Sequence, residues 1–225
     1  MQIILLGPPG SGKGTQAAML AETLNLAHIA TGDIFREEIQ HGTELGKKVQ
    51  LYLRSGELVP DDIVIQILES HLRKVLDASK DGFVLDGFPR TEVQAEALDA
   101  LLQRMGLTLD AVVLIDVDDD EIIERLSGRR ICPKCGAVYH VRRNPPKEAG
   151  KCDRCGAELI QRADDRVDVI RHRLKVYSKQ TAPLIEHYRV RGILHRVNGM
   201  GDLMDVHHRI VSVLGGANDG SKIHS

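Results

Sequence analysis

The sequence predicts an α/β fold: a parallel central sheet flanked by helices, with two mobile lobes inserted into it. Two observations predict this. Short, wholly apolar runs recur along the chain, as strands buried on both faces require. Amphipathic helical patterns stand between them, and strand–helix alternation builds βαβ units around a parallel sheet.

The elements follow in order. "IILL" (Ile3–Leu6) is a strand that stops at Gly7 and Pro8. Lys13–Leu24 is a helix, with Ala17, Leu20, Ala21 and Leu24 on one face. Further strands are "FVLD" (Phe83–Asp86), "AVVLID" (Ala111–Asp116) and "ILHRV" (Ile193–Val197). Helical patterns cover Asp61–Leu76, Thr91–Gln103, Glu121–Arg129, Val167–Tyr188 and Leu203–Leu214. Two stretches break the rhythm. Thr31–Val59 reads as short polar helices punctuated by Gly32, Gly42, Gly46 and Gly56. Gly128–Asp165 carries Pro133, Pro145, Pro146 and every cysteine. The expected division is a core of residues 1–30, 60–127 and 166–214, insertions at 31–59 and 128–165, and a disordered Gly-rich tail at 215–225.

Composition narrows the function. The chain has 225 residues, is 42% hydrophobic and carries a net charge of −2, which suits one sizeable core and argues against nucleic acid or anionic membrane as a partner. No apolar run reaches the ~18 residues of a membrane span. "MQIILLGPPG" lacks a basic start and a small-residue cleavage site, so no export signal is read and the cytoplasm is expected.

"GPPGSGKGT" (Gly7–Thr15) lies between the first strand and the first helix. It fits the phosphate-loop pattern G-x-x-x-x-G-K-[ST] except at Gly14, where the pattern wants a hydroxyl for Mg²⁺. In such a loop the backbone N–H groups of Gly10, Ser11, Gly12, Lys13, Gly14 and Thr15 converge on an anion. The helix N-terminus and the Lys13 ammonium add positive potential. Arginines are spread further along. Arg125 and Arg129 are four apart in one helical pattern, and Arg162 and Arg173 are eleven apart, about three turns. Arg90 follows a strand end, where α/β sheets bind ligands, and Arg36 lies in the first insertion.

Together with "TGDIFR" (Thr31–Arg36), "DGFPR" (Asp86–Arg90), "SGRR" (Ser127–Arg130), "QRADD" (Gln161–Asp165) and "RHRL" (Arg171–Leu174), the phosphate loop resembles the adenylate kinases, P-loop nucleoside monophosphate kinases, in their bacterial long-lid form. The resemblance covers residues 1–214. It implies transfer of the ATP γ-phosphoryl group to AMP, giving two ADP, with 31–59 as an AMP-binding flap and 128–165 as a lid. It places Arg36 and Arg90 on the AMP phosphate and Arg125 on the ATP base. Arg129, Arg162 and Arg173 clamp the transferring group, and the last two also face AMP. Thr31, Val59, Gly87 and Gln94 surround the AMP base. Family members carry glycine at position 14. Mg²⁺ is then expected between phosphate oxygens, with Asp86 contacting its water shell. Gln94 has a second reading, because "TEVQ" (Thr91–Gln94) is also a helix capping box, and one amide does not easily serve both geometries. In the lid, Arg143 stands where relatives often place an aromatic over the ATP base, so a guanidinium stacked on adenine is the expectation.

"CPKC" (Cys132–Cys135) and "CDRC" (Cys152–Cys155) are sixteen residues apart, inside the C-x₂-C-x₁₅₋₂₀-C-x₂-C spacing. Four thiolates close a tetrahedral shell, so the metal is structural: Zn²⁺ first, with iron or cobalt suited to the same ligands. Family members vary at these positions, so the kinase reading does not depend on the metal. Two other functions compete: a kinase for UMP or CMP, and a zinc-ribbon ATPase that binds nucleic acid. The slight acidity and 3% aromatic content weigh against the last. One self-contained core is expected to act as a monomer.

Overall fold

The computed structural model describes residues 1–76 and 81–220. Five parallel strands form the central sheet: β1 (Gln2–Leu6), β2 (Ala27–Ala30), β3 (Phe83–Asp86), β4 (Ala111–Asp116) and a last strand at Leu194–Asn198. Their order is β2-β3-β1-β4 and then the last strand, so β1 lies in the middle. Its side chains alternate. Ile4 and Leu6 feed one core, Ile3 and Leu5 the other, and all are buried. A strand covered on both faces has no polar position to offer, which is why its sequence runs apolar without a break.

Helices cover both faces. Helix α1 (Lys13–Thr23) packs Ala17 and Leu20 on one side. On the other, α2 (Thr31–Gln40) brings Phe35, α3 (Glu44–Ser55) brings Val49, and α4 (Asp61–Leu76) brings Val64, Leu68 and Leu72. α5 (Glu92–Arg104) adds Leu98, Leu101 and Leu102 to that second core. α6 (Asp119–Ser127) joins the first through Ile122 and Leu126. A separate antiparallel pair, β5 (Arg129–Ile131) and β6 (Val138–His140), lies in the second insertion. After it come a 3₁₀ turn (Ala163–Asp165), α7 (Val167–Val176), a π-helical turn (Tyr177–Thr181), α8 (Pro183–Arg189), β7 (Leu194–Asn198) and α9 (Leu203–Gly220). Among the described residues no helix is long and apolar enough to cross a membrane.

Four expectations need correction. β2 is an extra strand, "AHIA", which pairs with β3 from Ala27 against Phe83 to Ala30 against Asp86. The helix expected to reach Arg129 stops at Ser127, and Gly128 caps it, so Arg129 belongs to β5. The helix expected over Val167–Tyr188 is broken. Pro183 cannot donate to the helical ladder, and Ala182 N–H bonds back five residues to Tyr177 O at 2.9 Å. The tail expected to be disordered from 215 continues α9 to Gly220, and its last five residues, 221–225, lie outside the described residues.

Candidate active site

The phosphate loop leaves β1 and enters α1 through Gly12, a left-handed cap with no side chain on the first-turn N–H groups. No acidic residue stands in that turn either, so its donors and dipole face an open space. Lys13 curls over the loop, and its Nζ donates to Gly7 O at 2.7 Å and Pro8 O at 2.8 Å. Burial lowers its pKa to about 8; Asp86 opposes this, while Arg90 and Arg173 add to it. A Cβ at Gly14 would lie 3.0 Å from Asp86 Oδ2, so a side chain there would require that carboxylate to shift by a few tenths of an ångström. Thr15 is exposed on α1.

Arg125 on α6 reaches back to this loop. It donates to Ser11 O at 3.5 Å and Gly199 O at 2.9 Å, and its Nε holds Glu121 at 2.6 Å. Glu121 also receives Arg143, whose NH2 lies 2.8 Å from Oε2. The Arg143 bonds depress the Glu121 pKa most; burial opposes them, and Arg125 helps bring it to about 2. In this conformation Arg143 is therefore held on α6 rather than free to stack.

Beyond the loop lies an open cleft. Thr31, Arg36, Val59, Gly87, Arg90, Gln94 and Arg173 all line it. Of the residues expected at the acceptor, Arg162 alone is not among its walls. Gly87 organises one side, its carbonyl accepting Thr31 Oγ1 at 2.9 Å and Arg90 Nε at 2.8 Å. The π turn matters here, because it aims the buried Thr181 hydroxyl at Arg90 O, 2.9 Å away. Burial lowers the Arg90 pKa to about 10, and Arg173 lowers it further against Asp86. Arg36 is paired with Asp33.

Gln94 closes only half of the capping box. Thr91 Oγ1 accepts Gln94 N–H at 3.2 Å, but the Gln94 amide turns elsewhere. Its Oε1 accepts Arg90 N–H at 2.8 Å, and its Nε2 donates to Asp61 Oδ1 at 2.7 Å. One lone pair and one N–H remain free by count.

The remaining arginines are gathered by two carboxylates that sequence reasoning left unassigned. Arg129 forks onto Asp165 through Nε at 2.8 Å and NH2 at 2.6 Å, and Asp165 is fully buried. Arg173 NH1 holds Asp164 Oδ2 at 2.9 Å. Arg162 stands just before the 3₁₀ turn, and its buried Nε has no hydrogen-bond partner among the described residues. Burial lowers its pKa to about 10, helped by Arg36 and Arg129. The helix spacings expected to align these arginines therefore do not operate, since Arg129 is on a strand and Arg162 precedes α7. The Asp164–Asp165 turn converges them instead. The doublet after Arg162 was the available signal, but nothing in a sequence says that a carboxylate is buried. Asp61, Glu121 and Thr181 were missed in the same way.

The four cysteine sulfurs lie within 4.8 Å of one another. Cys132 and Cys155 are 3.4 Å apart, as are Cys135 and Cys152. Tetrahedral coordination at about 2.3 Å per bond needs sulfurs about 3.8 Å apart, a separation that falls between the 3.4 Å of these two pairs and the 4.8 Å limit of the whole cluster, so the four cysteines fit a metal. Tyr139 braces it: its hydroxyl accepts Asp153 N–H at 2.8 Å and sits 3.6 Å from Cys152 Sγ.

A family model for adenylate kinase matches residues 5–193. The chain is 52% identical over 214 residues to the adenylate kinase of Methanothrix thermoacetophila, covering 95% of this chain and 98% of that one. It is 52% identical over 199 residues to that of Moorella thermoacetica, covering 88% and 91%. It is 51% identical over 215 residues to that of Clostridium botulinum (strain Hall), covering 96% and 99%. With a phosphate loop facing an arginine-lined cleft, and with these relatives matched over nearly their whole length, the chain belongs to the adenylate kinase family of nucleoside monophosphate kinases, enzymes that transfer phosphate between ATP and AMP.

Proposed function

We propose that ATP binds on the phosphate loop, AMP binds in the arginine-lined cleft, and the γ-phosphoryl group passes between them. One observation carries the division of sites: Lys13 folds onto the Gly7 and Pro8 carbonyls while Arg90 is held on Gly87 O in the cleft wall, separate cradles close enough for Arg90 to lower the Lys13 pKa. An AMP phosphate oxygen forms the new bond to the γ-phosphorus. The bond from that phosphorus to the β–γ bridging oxygen breaks, and both products are ADP. No general base is needed, because the attacking oxygen is already anionic. Positioning and positive charge carry the catalysis.

Arg36 and Arg90 hold the AMP phosphate. Arg129 and Arg173, oriented by Asp165 and Asp164, face the group in flight. The unpartnered Arg162 Nε has a donor to give it. Gln94 uses its spare lone pair and N–H on the adenine edge while keeping Arg90 and Asp61, so the capping and reading roles do not conflict. Asp86 would hold Mg²⁺ through its water shell, and the ion would supply positive charge to the donor phosphates. The four cysteines hold one structural metal, Zn²⁺ being the first choice. Segments 31–59 and 128–165 close over the cleft and exclude water that would otherwise hydrolyse ATP.

A coupled assay of ATP against AMP, UMP, CMP and GMP tests the acceptor. AMP turns over best; equal or better rates with UMP or CMP would overturn the role given to Gln94. A pH series tests the donor cradle. Lys13 has a depressed pKa in the free enzyme, and phosphate favours its charged form. ATP binding therefore takes up a proton above pH 8. Affinity is full below that value and falls about tenfold per pH unit well above it. A flat profile between pH 7 and 10 would show that Lys13 does not meet phosphate.

A further inference from the structure

We propose that Glu121 is a positioning residue for the donor site, coupling the lid to the phosphate loop by holding lid Arg143 and loop-facing Arg125 on one carboxylate. The proposal rests on the reading that Arg125 faces ATP. The contacts form an unbroken chain. Arg143 leaves the β5–β6 lobe and donates to both Glu121 oxygens, the NH2 bond measuring 2.8 Å. Arg125 Nε takes the same Oε1 at 2.6 Å, and its NH1 continues to Ser11 O in the loop. The Glu121 side chain is 14% exposed, so its charge is poorly screened by solvent. A second tie holds Arg143 on the same helix, with NH2 3.2 Å from Glu124.

The physics follows from sharing. With Arg143 docked, one negative charge is divided between two guanidiniums, and Arg125 keeps positive potential for an incoming nucleotide. With Arg143 gone, Glu121 neutralises Arg125 alone and draws it onto α6. Lid docking thus primes Arg125, and ATP held by Arg125 favours the docked lid by the same free energy.

The test is a cycle in the full-length enzyme. Arg143→Gln should raise the KM for ATP about fivefold, the lower end of such couplings, and leave the KM for AMP unchanged. In a Glu121→Gln background the same Arg143 change should alter the ATP KM less than about twofold, because its route is gone. Melts of each variant establish that it is folded, and a role in lid stability alone would move the melt without this split. An unchanged ATP KM in Arg143→Gln, or an equal effect in both backgrounds, overturns the coupling. Arg125→Ala separates the two readings. If it leaves the ATP KM untouched, the donor role of Arg125 fails and takes this proposal with it. If it raises the KM while the cycle is additive, only the coupling fails.

Discussion

Replacing Arg90 by lysine lowers kcat/KM for AMP by at least about 10²-fold, or about 2.7 kcal/mol of transition-state stabilisation. The reason is geometric, since both side chains keep the charge. Arg90 is fixed at three points before substrate arrives: its N–H on Gln94, its Nε on Gly87 O and its carbonyl under Thr181. The Nε bond leaves the rest of the planar fork for phosphate, in an orientation that costs no ordering on binding. Lysine has one nitrogen at the end of a flexible stem, so it must give up either the Gly87 carbonyl or the phosphate. Steady-state kinetics with AMP as the varied substrate check this. A loss under threefold would make Arg90 a solvated charge with no part in the transition state.

Cys152→Ser is the second large effect. Metal content should drop from one equivalent toward none on dialysis against a mild chelator, with affinity weakened by at least about 10²-fold. The lobe has little else to hold it. Its buried apolar set is Cys132, Ala137, Tyr139 and Cys152, so two of its four members belong to the four-cysteine cluster proposed to hold the metal. Structural Zn²⁺ is worth about 10–16 kcal/mol in isolated zinc-finger peptides at neutral pH, and only part of that appears here because the main sheet has its own two cores. The lobe should therefore melt at lower temperature than the core. Activity at low temperature should survive in part, since no cysteine faces the cleft. Calorimetry before and after chelation checks it. One equivalent of metal whose removal leaves the melt unchanged would remove the structural role, and full loss of activity with the lobe still folded would make the metal catalytic.

Much of this molecule is legible in its sequence, and the failures have a common physical form. The buried strands β1, β3 and β4 were readable because burial on both faces leaves a solid apolar word. β2 was not, because "AHIA" is only four residues long and made mostly of small side chains, so its burial leaves no strong apolar run in the sequence. The phosphate loop and the paired cysteines were readable because their chemistry depends on spacing along the chain. The arginines could be named but not placed. Arg129 is expected on a helix, yet it stands on a strand and meets Arg173 through Asp165 and Asp164, across a fold that no local pattern encodes. Pro183 announced the break in the long C-terminal helix, but not that the resulting π turn would hand Thr181 to Arg90. Partners distant in sequence, such as Asp61 for Gln94 across 33 positions, are set by tertiary packing and carry no signal of their own.

The central place of β1 has a consequence for how the molecule is made. Within this chain β1 is synthesised before both of its neighbours, β3 and β4, which end at Asp86 and Asp116. Synthesis at roughly 5–20 residues per second means that the sticky Ile3–Leu6 segment waits about six to twenty seconds for its second neighbour. Until β3 is made the nucleotide loop hangs from an unpaired strand, and until β4 follows that strand is paired on one edge only, so a half-made chain displays the binding motif before the sheet that supports it is complete. An apolar strand left without its neighbours is open to pairing with a wrong edge, so the segment that carries the nucleotide loop is also the one most exposed to mispairing while the chain is half made.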